Sequence, residues 1–205
     1  MRIDVRQFAQ TNAIDTCAIW NVLSSARLTS AALGKQRWFV VADYVRYEAL
    51  ERPRTSPEPS ELELQEKFRQ RLERTQGFSR QSISMSDLQA VANIPVVSRL
   101  GRGEIAALAL ARKMRIGFMT DDQKARAGAP EVGAGPAHTT PHLLGWLIYD
   151  GALGDGDVGI VIVEHEGCVP NKNGQLTKFF KAAYEEACRC RLARDHAMSG
   201  APAGQ

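Results

Sequence analysis

Apolar residues recur along this 205-residue chain in two alternating rhythms. A short run ends at Ala13 and Ile14, Asp15 interrupts it, and helix-compatible spacing resumes through Ile19, Val22 and Leu23. That is the pattern of a strand, a tight turn and a helix. Residues 38–41, WFVV, are β-rich and lead into a helical stretch carrying Tyr47, Glu48 and Leu50, so strand and helix follow each other again. Between 52 and 60 the segment RPRTSPEPS holds three prolines and almost nothing apolar, which predicts a surface loop inserted into the fold. Ser60 and Glu63 have the spacing of a capping box, and Leu64, Phe68, Arg71 and Leu72 draw a narrow apolar stripe along a charged, solvent-facing helix.

The alternation continues. Residues 81–85 read as a strand, Ser86 or Asp87 as a cap, and the segment after them as a short helix. Gly103 opens a compact helix through Ile105, Leu108, Ala109 and the run 111–114, whose small alanines permit close approach to a sheet. IGFMT (116–120) is the next strand, AHTT (137–140) a short one, the segment from Pro141 to 153 a helix with proline in its first turn, and VGIVIVEH (158–165) a last strand. Residues 176–196 form a basic amphipathic helix with Phe179, Phe180 and Tyr184 on its packing face, and 198–205 a frayed end.

Strands alternating with helices predict an α/β domain with a mostly parallel sheet covered on both faces. The expected organisation is one main domain over 1–165, an extension with the basic helix over 166–197, and a tail over 198–205. A hydrophobic share of 44% with 24% charged residues suits a globular chain. No stretch is apolar for long enough to cross a bilayer, and MRIDVRQFAQTN lacks the apolar core of a secretory signal, so a cytoplasmic protein is expected. A net charge of +3 neither demands nor excludes a polyanionic partner. Cys17, Cys168, Cys188 and Cys190 do not have the spacing of a disulfide framework. The last three, with His165 or His196, are a zinc candidate that lacks paired CxxC spacing, against the plainer reading of small residues on different faces of one helix.

Ligands of parallel sheets gather beyond the carboxyl ends of the strands. Asp15 and the Asp121–Asp122 pair stand there, Glu48 lies in the helix after the second strand, and Glu104 in the first turn of its own helix. Singly, each has an ordinary explanation as a cap, a dipole partner or a surface charge. Together they form a set of carboxylates without matching cations. Such a set calls for a hard, oxygen-seeking dication such as Mg2+ or Mn2+, and with it phosphate chemistry.

Four segments in order, AIDTCAIW, YVRYEAL, LGRGEIAALALA and MTDDQKAR, resemble the four acidic motifs of PIN-domain nucleases, including VapC-type toxins. The resemblance spans residues 14–163. It implies a three-layer α/β/α fold and an Mg2+- or Mn2+-dependent endoribonuclease, while the C-terminal helical extension and the proline-rich insertion make this chain longer than the minimal toxin pattern. Position by position, Asp15, Glu48, Glu104 and Asp122 match the family's catalytic acids. Asp15, Glu104 and Asp122 match its metal ligands, with Asp121 assisting or serving as the principal ligand in place of Asp122, and Glu48 ligates or orients the attacking water. Cys17 departs from the family's Asp-x-Asn pattern and removes a polar contact there.

Thr16 and Thr120 are candidates to hold the carboxylates by hydrogen bonds. Arg102, Lys124 and Arg126 flank the acids and are candidates to hold phosphates, or equally to neutralise nearby carboxylates. A crowded metal centre favours single-stranded or looped RNA. Trp20, Trp38 and Tyr47 could stack bases, but their setting in apolar runs argues for the core. The implied partners are RNA, an antitoxin protein and a second copy of the chain. Two alternatives stand beside this reading: a non-catalytic nucleic-acid-binding or complex-forming protein on the same fold, and an aspartate-based phosphotransfer domain.

Overall fold

A computed structural model describes residues 4–52, 57–169 and 175–199. Five strands form one sheet: β1 (Thr11–Ile14), β2 (Trp38–Ala42), β3 (Phe78–Gln81), β4 (Gly117–Met119) and β5 (Ala137–His138). They lie in the order β3-β2-β1-β4-β5, and every neighbouring pair is parallel. The inner strands are buried almost throughout, as a sheet covered by helices on both faces requires. Chain order reverses direction between β1 and β4, so the crevice beyond their carboxyl ends is the topological switch point, where open α/β sheets bind ligands.

The first half contributes α1 (Thr16–Leu23), α2 (Ala26–Gly34), α3 (Asp43–Leu50), α4 (Pro59–Glu73) and α5 (Met85–Ala92). The second contributes α6 (Arg102–Met114), α7 (Gln123–Val132), α8 (Thr140–Tyr149), α9 (Asp155–Cys168) and α10 (Thr177–Ser199). A crossover helix runs back against the strand direction, so α6 starts at the same edge of the sheet where β1 and β4 end. Its buried run from Ala106 to Ala111 packs on β1, β2 and α3. The small alanines let the helix approach closely.

Several boundaries differ from the sequence expectation, each for a local reason. Residues 158–165 are not a strand but the body of α9. Val158, Val161 and His165 are buried at helical spacing while Ile160 and Val163 stay exposed. Asp157 Oδ2 accepts from the Gly154 N–H at 2.8 Å, so capping and tertiary packing override the β-preference of Val and Ile. The strand placed at 81–85 lies earlier, at Phe78–Gln81, because Ser84 already caps α5 reciprocally with Asp87. Ser86 and Asp87 therefore sit inside that helix. Likewise Glu58, not Ser60, caps α4, with Glu61 closing the box and Pro59 in the first turn. Ser25 ends the first helical run by capping α2 through the Leu28 N–H at 3.1 Å. Of the proline-rich segment 52–60, residues 53–56 lie outside the described residues. Of the tail, Met198 and Ser199 belong to α10, and the rest lies outside them.

α10 packs chiefly on α8. Gly145 permits the contact, since a Cβ there would stand 2.7 Å from Val5 Cγ1 and 3.1 Å from the Ala183 carbonyl. The packing face is Phe180, Ala183 and Ala187, whereas Phe179, expected inward, is 47% exposed beneath Lys178. The thiols do not gather. Cys188 approaches Arg191, Cys190 approaches Glu186, and both His165 ring nitrogens are engaged, by Ser24 at 2.8 Å and by the Leu176 N–H at 3.1 Å. The zinc candidate is therefore not assembled among the described residues.

A proton-ordered chain ties the N-terminal segment to β5 and α8. The Ala9 N–H donates to His138 Nε2 at 3.2 Å, which puts the His138 proton on Nδ1, 3.0 Å from His142 Nδ1. His142 in turn donates through Nε2 to the Asp4 carbonyl at 2.7 Å. Among the described residues, no helix is long and apolar enough to cross a membrane.

Candidate functional site

Asp15 follows β1 directly and is the N-cap of α1. Its Oδ1 accepts from the Ala18 N–H at 2.8 Å, while Oδ2 accepts from the Thr120 hydroxyl. Thr120, fully buried at the end of β4, also takes the Asp122 N–H at 3.1 Å. One threonine thus locks the ends of the two central strands together across the switch point. Burial drives the Asp15 carboxyl up to about 7, against the charge-favouring bonds from Thr120 and Ala18, and the neighbouring carboxylates of Asp121 and Glu104 push it further.

The two aspartates after β4 divide their labour. Asp121 accepts from the Thr140 N–H at 2.8 Å, the Thr140 hydroxyl at 2.6 Å and Asn21 Nδ2 at 2.8 Å, so both its oxygens are engaged. Asp122 caps α7 through Oδ1, which accepts from the Ala125 N–H at 2.8 Å. Its Oδ2 takes none of the hydrogen bonds found among the described residues. Asp121 is therefore a brace between β4, α1 and α8, and Asp122 is the member of the pair with a free oxygen.

Glu104 lies in the first turn of α6. Its Oε2 folds back to accept from the Gly101 N–H at 2.6 Å. Burial raises its carboxyl, and Asp122 and Glu48 raise it further, while the Gly101 bond and Lys124 act in the other direction. Glu48 projects from α3 to the same place: Thr16 donates to its Oε2 at 3.2 Å, and Arg52 stands 3.5 Å from Oε1. A Cβ at position 103 would fall 2.0 Å from Glu48 Oε2. Gly103 is thus what lets the α3 carboxylate lie against the first turn of α6.

These mutual influences place Asp15, Glu48, Glu104, Asp121 and Asp122 in one neighbourhood at the carboxyl edge of the sheet. Cys17 registers the same field: although solvent reaches the residue, desolvation and then Asp121, Asp15, Asp122 and Glu104 drive its thiol upward. Among the described residues, Arg52–Glu48 is the one ion pair that involves these five acids. Lys124 and Arg102 are exposed at the rim. Arg126 is half-buried, and its Nη1 donates to the Asp121 carbonyl at 3.1 Å, which makes it a support of the Asp121–Asp122 turn.

The donor set is all oxygen and anionic, the kind a hard dication takes. As placed, no three acidic, histidine or cysteine side chains among the described residues close on a single point at ligand distance. The set thus matches such an ion in donor chemistry and charge but is not gathered at ligand distance; Asp15, Glu104, Asp122 and Glu48 are the carboxylates nearest to that role.

Asn21 and Thr140 were not singled out from sequence. Asn21 lies one helical turn after Cys17 and supplies a polar contact beside the motif position that Cys17 leaves thiol-bearing. The signal for it is an asparagine, 7% exposed, in the apolar run AIWNVL, since a polar group in such a place needs a partner. Thr140 carries no comparable mark, because its partner is set by where β5 ends. The aromatics also differ from expectation: Trp38 and Tyr47 are 39% and 41% exposed, and only Trp20 packs inward, edge-on to Phe68 at 6.0 Å. Comparison of the chain with protein-family models, with curated proteins and with solved structures returns no match.

Proposed function

We propose that this chain is a metal-dependent ribonuclease of the PIN type, hydrolysing phosphodiester bonds of single-stranded or looped RNA with Mg2+ or Mn2+. The observation that carries the reading is the convergence of Asp15, Glu48, Glu104 and Asp122 at the switch point of a parallel sheet, with one ion pair to them among the described residues. These four carboxylates and that of Asp121 are mutually repulsive, and a bound dication removes that repulsion. When bound, the ion supplies charge neutralisation for the scissile phosphate and acidity for a water nucleophile.

The chain's own groups have separable tasks. Asp15 and Asp122 are held in place by helix N–H groups and by Thr120, so ligand positions at the two strand ends are set before substrate arrives. Glu104 brings a carboxylate from α6 with one oxygen tied to its own helix start. Glu48, oriented by Thr16, accepts a proton from the attacking water. Lys124 and Arg102 at the rim hold flanking phosphates, while Arg126 supports the Asp121–Asp122 turn. No side chain acts as a covalent nucleophile. Asp15 is 2% exposed with both oxygens engaged, which speaks against phosphoryl transfer onto it. The cellular setting that goes with this reading is a toxin restrained by an inhibitory protein, or an RNA-processing enzyme.

The test is cleavage of labelled single-stranded RNA with Mn2+ and with chelator. Asp15→Asn, Glu104→Gln and Asp122→Asn should each lose at least about 100-fold in rate, the scale of losing a key electrostatic group in a water-poor site, while circular dichroism stays unchanged. Undiminished cleavage by purified Asp15→Asn would remove the assignment.

A further inference from the structure

One turn away from the Glu48–Gly103 contact, the same two helices wall an apolar cleft of about 270 Å3 lined by Ala42, Tyr44, Tyr47, Ile83, Leu88 and Ala106, with Asp43 at its edge. On α3, Tyr44 precedes Glu48 by four residues, so the two share a face, and on α6 Ala106 follows Gly103 by three. The cleft and the carboxylate cluster are thus neighbouring sections of one α3–α6 seam, about 5.4 Å apart along the helices. Tyr47 is 41% exposed, and its ring meets that of Tyr44 at 5.8 Å and 50°. Arg80 braces the Asp43 wall by an ion pair from the end of β3.

We infer that this cleft is a base-binding subsite. It takes one nucleobase of a single-stranded polynucleotide by stacking on Tyr47 while the adjoining phosphate lies at the carboxylate cluster. The inference rests on the nuclease reading for what occupies the neighbouring cluster. Three features commit the cleft to a base. It is shallow and apolar, suited to a planar ring rather than a charged group. An exposed aromatic forms one wall, and base–aromatic stacking is tolerant of sequence because every base has a π-face. It also stands one helical turn from the groups that would act on the backbone, within reach of the base next to the bond being cleaved. A duplex keeps its bases inside, so the subsite selects unpaired RNA.

The experiment compares the full-length wild type with Tyr47→Ala and Tyr47→Phe. One readout is anisotropy of a fluorescein-labelled single-stranded RNA oligonucleotide in Ca2+, and the other is kcat and KM for its cleavage in Mn2+. The same oligonucleotide carrying one abasic position, moved stepwise along the strand, serves as a second probe of the wild type and of Tyr47→Ala. Loss of one stacked base predicts a 5- to 100-fold, roughly, weaker binding and higher KM for Tyr47→Ala, with kcat little changed. Tyr47→Phe should behave as wild type. A single abasic position should reproduce the loss in wild type and add nothing further in Tyr47→Ala.

If wild type binds RNA in this Tyr47-dependent way but does not cleave, the subsite stands and the nuclease reading falls. If it cleaves and Tyr47→Ala binds as tightly as wild type, the reading stands and the subsite falls. Equal losses in the alanine and phenylalanine variants, or binding indifferent to every abasic position, also overturn stacking and leave the cleft to a protein side chain. Absence of any RNA binding by wild type overturns both.

Discussion

Replacing Asp15 by asparagine should stabilise the metal-free protein at neutral pH and leave it indifferent to metal. Asp15 is 2% exposed, and its carboxyl is raised from 3.8 to about 7. For an acid whose folded pKa lies above its unfolded value, the folded state binds more protons between the two. Stability is therefore largest below about pH 4 and is lost as pH rises towards about 7. Three pKa units correspond to about 4 kcal/mol at 1.36 kcal/mol per unit, an upper bound because the effective dielectric of real interiors lowers it. A working figure is about 2 kcal/mol. An amide keeps the cap on the Ala18 N–H and offers its N–H2 to Thr120 Oγ1, but the Thr120 hydroxyl then has to find another acceptor, which offsets part of the gain from removing the charge. In a chain of this size about 2 kcal/mol raises Tm by about 4–8 °C.

The assay is differential scanning calorimetry of wild type and Asp15→Asn in chelator at pH 8 and pH 5, repeated with Mn2+. The difference between the two proteins is the informative quantity. Wild-type stability alone mixes in His138, lowered to about 3 by burial, and the likewise lowered His142 and His165, which gain stability as pH rises through part of the same window. The advantage of Asp15→Asn should be full at pH 8 and smaller at pH 5, which lies inside the window between about 4 and about 7. With Mn2+ at 100 times its Kd, wild type should gain about 2.7 kcal/mol and the variant almost nothing, so the order of the two melting temperatures closes or inverts. A variant equally destabilised at both pH values would refute the buried-charge argument. An equal Mn2+ shift in both proteins would refute the placement of the ion on Asp15.

Three further outcomes follow from particular contacts. Gly103→Ala should change stability by no more than about 1 kcal/mol, because alanine favours the helix, yet its Cβ displaces the Glu48 carboxylate; kcat should fall at least about ten-fold with Tm nearly unchanged. Thr140→Ala removes the hydroxyl bond to Asp121 but keeps the backbone one, so chemical denaturation should show a loss of about 1–3 kcal/mol and a smaller kinetic defect than Asp122→Asn. Phe180→Ala opens a cavity under α10, where the ring is fully buried beside His165 at 5.3 Å; a loss of about 3–5 kcal/mol is expected, whereas Phe179→Ala, on the exposed side of the same helix, should stay within about 1 kcal/mol.

The sheet and its acids were legible because both depend on short-range chemistry. Ala13–Ile14 and IGFM (116–119) are apolar runs stopped by a polar residue, and an aspartate at or just past such a stop caps the following helix, as Asp15 and Asp122 do. What sequence periodicity misassigned was α9, where the four β-branched residues of GIVIV favour a strand but Gly154–Asp157 capping and the burial of Val161 and His165 against neighbouring elements decide for a helix. The braces of the site were illegible for a different reason. Asn21 and Thr140 meet Asp121 across separations of 100 and 19 residues, and only the packing of α1 and α8 beside β4 creates those bonds.

The same distinction separates Asp121 from Asp122. Adjacent in sequence and identical in type, they diverge because one points at the N-terminus of α8 and the other begins α7. Three donors then engage both oxygens of the first, while the second keeps an oxygen without a hydrogen bond among the described residues and raises the Glu104 carboxyl by its charge. Asp122 accepts one such bond and Asp15 two, against three for Asp121, so the division between brace and ligand follows donor supply. Removing Asn21 and the Thr140 hydroxyl together should therefore begin to erase it.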